Sequence, residues 1–384
     1  MKYMIRTKSI IIFFTLLCTF VPMSFYYIPM GTLIIRVLRV LRTLILVYYI
    51  IDIVKYGFVA KRLSKFFLFI GFLLVSTMNH GGGITNYLEN TSIILTIFLL
   101  AEKYIYRCDE NEKYLSLKYI YYYFLFMMII NMASMLILPQ GVYRVVYEKD
   151  FWHELSYPVY FLNTENRLIE YTMPLLLLSA IMYEKKMIKK VSFILSIVIV
   201  IFTTIKAMSL TSITGILVVI IIYNISRKRN VTSRVYIFYP LVFLMQIFFE
   251  LVMTSTGLLA VLDFLFGRVN TIQSRYLLSK QALKVIPQNM LFGVGTAKSG
   301  RLFTEGNMVY WVHNHALDIL VQSGIIGFVL FINNLIKIDI KSKYSLSNVQ
   351  KIVFSGMIAM LVMGMSESFF YSVEFYLVLS LTDI

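Results

Sequence analysis

Charge is scarce in this chain. Of 384 residues, 15% are Asp, Glu, Lys or Arg and 59% are hydrophobic, with a mean hydropathy of +0.76. A water-soluble domain carries roughly 25% charged and 45–50% apolar residues, so folding in water alone is excluded and an integral membrane protein is implied. Acids are scarcer than bases, 20 against 36, for a formal net charge of +16. That excess could suit nucleic acid. The cations instead sit in short clusters between apolar runs, as cytoplasmic loops of membrane proteins do, and no nucleic-acid partner is expected. Cysteine is nearly absent: Cys18 lies in the first apolar run and Cys108 in a charged loop, so no disulfide framework is implied. Metal-ligand clusters and the Asp-x-Asp motif are both missing from the sequence, and neither a metal nor any other cofactor is expected.

What is present is a succession of apolar runs. A bilayer core about 30 Å thick needs ~20 mostly apolar helical residues. Runs near 9–28, 32–54, 66–79, 86–101, 118–138, 167–183, 191–207, 209–225, 235–254, 316–336, 350–366 and 369–384 meet or approach this length. The fold class is all-α, a polytopic membrane protein of about twelve spans. The first run exceeds a signal-peptide core of roughly 7–15 residues and lacks a small-x-small cleavage site, so it reads as a span. Basic clusters around Lys8, Lys61, Lys103, Lys185, Arg227 and Lys337 fall on alternate connections. That alternation puts both termini in the cytoplasm. Three parts follow: residues 1–254 with nine helices, a large outer loop over 255–315, and residues 316–384 with three helices.

The outer loop breaks the charge rule. It holds Arg268, Arg275, Lys280, Lys284, Lys298 and Arg301 against Asp263 and Glu305. Long loops translocate regardless of charge, which is the plain explanation; the functional one is an anion-binding surface. An apolar pattern of helical spacing runs through Tyr276, Leu277, Ala282, Leu283 and Ile286. Pro287-Gln288-Asn289 then leads into Leu291-Phe292-Gly293-Val294-Gly295, a tight glycine turn. A dinucleotide fingerprint is excluded, since Lys298 stands where a third glycine belongs. Next come His313-Asn314-His315 at the mouth of the tenth helix. Histidine titrates near neutrality and can take a proton from a hydroxyl, which makes this pair a candidate acid/base site; an interfacial histidine bonded to headgroups is the competing role.

These residues carry a resemblance. Gly267-Arg268, Ser274-Arg275-Tyr276, Asn289 through Gly295, His313-Asn314 and Gly324-Ile325-Ile326-Gly327 resemble the C-terminal block of the O-antigen polymerase and O-antigen ligase superfamily. The resemblance implies a GT-C-like polytopic glycosyltransferase acting on undecaprenyl-pyrophosphate-linked oligosaccharide at the outer face of the bacterial plasma membrane. It also implies that Arg268 or Arg275 contacts the pyrophosphate and that His313, with Asn314, positions or deprotonates the acceptor hydroxyl. Asn314, Gly293, Gly295 and Arg301 would complete the substrate site. Membrane lipids, a flippase and a chain-length regulator are the expected partners. One departure concerns an earlier helix, where many members carry Ser-Arg-x-Gly and this chain has Ser212-Ile213-Thr214-Gly215.

Transfer from a lipid pyrophosphate needs stabilisation of a departing anion and removal of a proton. Fixed guanidinium groups supply the first, staying charged and binding phosphate oxygens bidentately. For the second, Glu305, Asp318 or Glu367 could orient His313. Arg36, Arg39 and Arg42 form a further set inside the second run, sweeping an arc of about 120° at roughly 100° per residue. Charges within a span mark a functional pathway by default. Arg36 and Arg39 could hold a second lipid phosphate, or the set could pair with Glu170 and Glu250. Tyrosines with Arg144, Trp152, His153 and Glu154 between 139 and 166 suit sugar stacking or interfacial anchoring alike. The leading expectation is a polymerase of O-antigen or capsule type. A ligase of the same superfamily is the alternative, and a lipid-linked glycan flippase a weaker one, because no internal repeat is visible.

Overall fold

The computed structural model describes residues 2–57, 61–79, 83–146, 156–164, 167–229, 231–255, 269–296, 303–305, 308–310, 312–336 and 344–384. These residues are overwhelmingly α-helical. Helices α1 (Lys2–Thr19), α2 (Gly31–Tyr56), α3 (Lys61–Asn79), α4 (Ile84–Ala101) and α5 (Glu110–Ile137) form the first half of a bundle. Then follow α6 (Ile169–Glu184), α7 (Lys190–Lys206), α8 (Leu210–Lys228) and α9 (Phe238–Ser255). The chain closes with α10 (Val269–Gln288), α11 (His315–Leu335), α12 (Asn348–Met363) and α13 (Val373–Leu381). Two hairpins interrupt the helices, β1 (Tyr143–Val146) with β2 (Ser156–Val159) and β3 (Phe303–Glu305) with β4 (Met308–Tyr310), both antiparallel.

Sequence explains the boundaries. The first helix stops at Thr19 because Pro22 disfavours helical backbone just before it, so the apolar run to residue 28 bends away. Asp109, Ser209, Asn314, Ser347 and Ser372 cap α5, α8, α11, α12 and α13, each accepting from a backbone amide of the first turn. A π-helical turn over Glu102–Tyr106 ends the α4 segment.

Among the described residues, six helical segments are long and apolar enough to cross a membrane: Arg62–Asn79, Ile84–Tyr106, Glu110–Ile137, Leu210–Lys228, Ser233–Val252 and His315–Leu335. Asn348–Met363 is apolar but only 16 residues long, and the nine residues of α13 reach roughly 14 Å at 1.5 Å each. Both are almost wholly buried. A helix apolar on every face belongs at the centre of a bundle. There α12 packs on α8, α9 and α6 while α13 packs on α4, α6 and α12. The core is rich in rings: Phe66, Phe98 and Tyr376 meet edge to face or tilted, as do Phe69 and Phe331.

Contacts at the ends set the helix directions. Arg62 on α3 donates through Nε and Nη2 to Asp383 at 2.6 and 2.9 Å, and through Nη1 to the Asn334 carbonyl beyond which α11 ends. At that same end Lys103 and Arg107 clasp Asp52 of α2 at 2.6 and 2.7 Å, and Lys8 reaches Glu112. Most of the described basic clusters thus collect at one end of the bundle, and His313 stands at the other.

Candidate functional site

The site is assembled around the start of α11. Asn314 is fully buried and its Oδ1 accepts from the Leu317 amide at 2.9 Å, closing the helix start. Its Nδ2 donates to the Gln246 carbonyl at 3.1 Å and to Glu250 Oε2 at 3.3 Å, both on α9. Gln246 adds a second tie, its Oε1 accepting from the Ala316 amide at 2.9 Å and its Nε2 donating to the Leu361 carbonyl. The first turn of α11 is therefore fastened to α9 and α12 by buried hydrogen bonds. Gln246 is the polar residue that sequence reasoning missed, and Glu250, offered there to the α2 arginines, meets Asn314 instead; a polar pair four apart on one face of an otherwise apolar span was the available signal.

His313 projects from this base. Its ring is partly exposed, and Nδ1 lies 3.4 Å from Oε2 of the buried Glu367, in the turn between α12 and α13. An ionised carboxylate can only accept, so the shared proton belongs on Nδ1, leaving Nε2 with a lone pair. Of the carboxylates considered for this position whose side chains are described, Glu367 is the one in contact. Asp318 is engaged elsewhere, accepting from Gln322 Nε2 at 2.8 Å and from the Ser368 hydroxyl. Glu305 falls in β3, with its side chain outside the described residues. Glu170 lies 3.9 Å from Arg167 and accepts from Asn163 at 3.4 Å. Arg167 and His313 thus face a group of acids comprising Glu170, Asp318 and Glu367.

His315 has a different situation. It is fully buried, neither ring nitrogen has a hydrogen-bond partner, and Phe243, Phe331, Phe369 and Phe375 surround it at centroid distances of 4.8 to 6.1 Å. The sequence suggested a pair of histidines; the structure exposes one and encloses the other.

The glycine turn docks on a break in α11. Gly324 has φ +61°, interrupting the helix midway along its span, and Gly293 and Gly295 have φ +70° and +71°. The Val294 and Gly295 amides donate to the carbonyls of Val321 and Gln322 at 2.9 and 2.8 Å, and the Ile325 amide donates to Met290 at 2.8 Å. Each chain thus satisfies backbone groups that the other leaves unpaired, as irregular backbone at membrane depth requires. A side chain on Gly293 would collide with Gln322 and Gly324, and one on Gly295 with Ser76 and Thr77 of α3. The amides of Gly293 and Gly295 are used within the protein, so these glycines shape the site without offering free donors. Tyr371 extends the lattice, donating to Gln322 Oε1 and to Thr296 Oγ1 at 3.2 Å. Ala282 of α10 joins Val312, Leu317 and Val321 in a small core of their own, which seats α10 beside the same helix.

The arginines divide. Arg275 belongs to α10, with its side chain outside the described residues; Arg268 and Arg301 lie outside them altogether, as do Trp152, His153 and Glu154. Arg39 on α2 pairs with Glu89 of α4 at 2.7 Å, in place of the Glu170 and Glu250 that the sequence offered. Among the described residues no group of three or more His, Cys, Asp or Glu is placed to hold a metal.

Residues 191–332 match a family model described as O-antigen ligase. That match supports the resemblance to the O-antigen ligase and polymerase superfamily. No curated protein and no solved structure matches it. The O-antigen ligase match runs from α7 almost to the end of α11, so it contains Gln246, Glu250, His313, Asn314 and the glycine turn. Glu367 and the α2 arginines lie beyond it.

Proposed function

We propose that this protein is a polysaccharide polymerase, of O-antigen or capsule type, joining undecaprenyl-pyrophosphate-linked repeat units at the extracytoplasmic face of the plasma membrane. The observation that carries the reading is the pairing of His313 with Glu367 above the buried Asn314. A half-exposed imidazole whose far nitrogen is anchored presents its near one to an incoming hydroxyl, the geometry of a general base.

The acceptor sugar hydroxyl gives its proton to His313 Nε2 while its oxygen attacks the anomeric carbon of the donor glycan. A new glycosidic C–O bond forms, the bond to the pyrophosphate oxygen breaks, and undecaprenyl pyrophosphate leaves with the electron pair. Arg268 and Arg275 are assigned to the diphosphate, with Arg301 on the same loop, since planar guanidinium groups suit phosphate oxygens and need no protonation change. Asn314 holds the base in register, and Gly293 and Gly295 let the loop approach α11. Collection of the described basic clusters at the opposite end supports an outward-facing site with cytoplasmic termini.

The family description favours a second reading, a ligase that passes the finished glycan from its lipid carrier to a different acceptor. Purified protein given lipid-pyrophosphate repeat units, without nucleotide and in chelator, distinguishes the cases. A ladder of longer lipid-linked products is expected. Product only with a second acceptor would establish the ligase, and transbilayer movement of unmodified substrate would overturn both.

A further inference from the structure

Helix α2 carries an arrangement that the active site does not use. Its outward face is apolar, with Leu33, Val37, Val40 and Leu44 all more than half exposed, as expected of a helix turned toward lipid. Arg36 is exposed at the edge of this face, with no hydrogen-bond or ion-pair partner among the described residues, and Arg39 lies further round, toward α4. Arg39 holds Glu89 of α4 at 2.7 Å with both side chains partly exposed. One turn further in, Arg42 is 6% exposed and its Nε is unpartnered. Glu89, Arg39, Cys18 and Tyr26 are the ionisable groups around it. Arg39 and Arg42 thus share one carboxylate, with Arg36 about one turn further out on the same helix.

The position along the helix fits a headgroup. Helix α2 has 26 residues and reaches about 39 Å, longer than a hydrocarbon core of about 30 Å. Arg42 sits beside Cys18, at the end of α1, so the three arginines occupy the part of α2 that extends toward and past that end. Helix α4 begins at the same level, where the Gly83 amide donates to the Thr296 carbonyl beyond the glycine turn. The arginines thus lie on the His313 side of the bundle, open to lipid and one helix away from the turn.

We infer that Arg36, Arg39 and Arg42 form a lateral site for the phosphate of a lipid, with Glu89 holding the guanidinium groups in its absence. An exposed cation among lipid-facing side chains, and a buried guanidinium without a full set of acceptors, both lack what a phosphate supplies: several acceptor oxygens and negative charge. Glu89 is then a competitor for the same donors. Two lipids carry that phosphate: a second copy of the diphosphate-linked substrate, an assignment that rests on the proposed function, and an anionic phospholipid of the bilayer.

Lipid retention in phosphatidylcholine nanodiscs, read by native mass spectrometry, tests this with no glycosyl transfer involved. The probes are undecaprenyl pyrophosphate and, separately, phosphatidylglycerol. Arg36→Gln and Arg42→Gln should each reduce retention at least tenfold, Arg42→Lys should reduce it less, and Glu89→Gln should raise it several-fold because the competing carboxylate is gone. Preference for undecaprenyl pyrophosphate identifies a substrate site, and equal retention of phosphatidylglycerol a bilayer-lipid site. Wild-type retention in Arg36→Gln, whose exposed position spares the fold, would overturn the proposal. So would weakened retention in Glu89→Gln, the result expected of a purely structural ion pair. Either failure leaves the His313 site standing, and a missing polymer ladder leaves the lateral site standing.

Discussion

At the residue scale, adjacent side chains at the mouth of α11 have separate duties. His313→Ala should lower glycan extension by roughly 10²- to 10⁴-fold, the usual worth of a positioned base, while membrane insertion and detergent-extracted yield stay unchanged; retained activity would remove the base role. In the proposed reaction Glu367 is a positioning residue acting through His313. Glu367→Gln should lower kcat about tenfold or more at unaltered KM and unaltered unfolding temperature, with partial recovery in Glu367→Asp; a lowered unfolding temperature would point to damaged folding instead. Asn314→Ala removes a helix cap and a partner of the buried Glu250, so a loss of about 1–2 kcal/mol is expected by thermal unfolding in detergent. His313 and Asn314 were legible as a motif. That His315 differs from His313 was not, because burial among four rings depends on Phe243 of α9 and on Phe369 and Phe375 around the start of α13 packing against α11.

At the element scale, the joint between the glycine turn and broken α11 is the feature most exposed to test. Gly324 needs a positive φ, and an added Cβ would meet the Leu291 carbonyl and the Gly293 amide. Gly324→Ala should therefore cost at least about 1–3 kcal/mol in backbone strain alone, seen as a lower unfolding temperature, and should lower activity by displacing the turn. Gly71 on α3 makes a fair control: an added Cβ meets nothing within 4 Å. Gly71→Ala should be neutral or stabilising by up to about 1 kcal/mol; a comparable loss at both positions would show that the joint has no special role. The turn itself could be read from Pro287 and the two glycines. Its docking partner could not, since Gly324 within an apolar run looks like any tolerated helical glycine.

At the scale of the whole molecule, sidedness is the decisive property. A single cysteine replacing His313, in a background lacking Cys18 and Cys108, should label with a membrane-impermeant reagent from outside the cell. Cysteines at 113 or 185 should label only after permeabilisation, and the reverse pattern would put the proposed chemistry in the wrong compartment. In the wild-type chain, labelling of native Cys108 is expected to be slow, because burial pushes its thiol above the usual cysteine range and less thiolate is present at neutral pH. The sequence by itself determined that this is a helical membrane protein, where most of its helices lie and which loop carries the unusual charge, because apolar length and charge placement act locally and are written in consecutive residues. Tertiary structure decided which carboxylate meets His313, which histidine is enclosed, what Gly324 is for and that Glu89 faces the α2 arginines. Each of these depends on side chains from distant helices meeting inside the bundle, where a polar group left without a partner is costly and only the packed fold determines which partners are within reach.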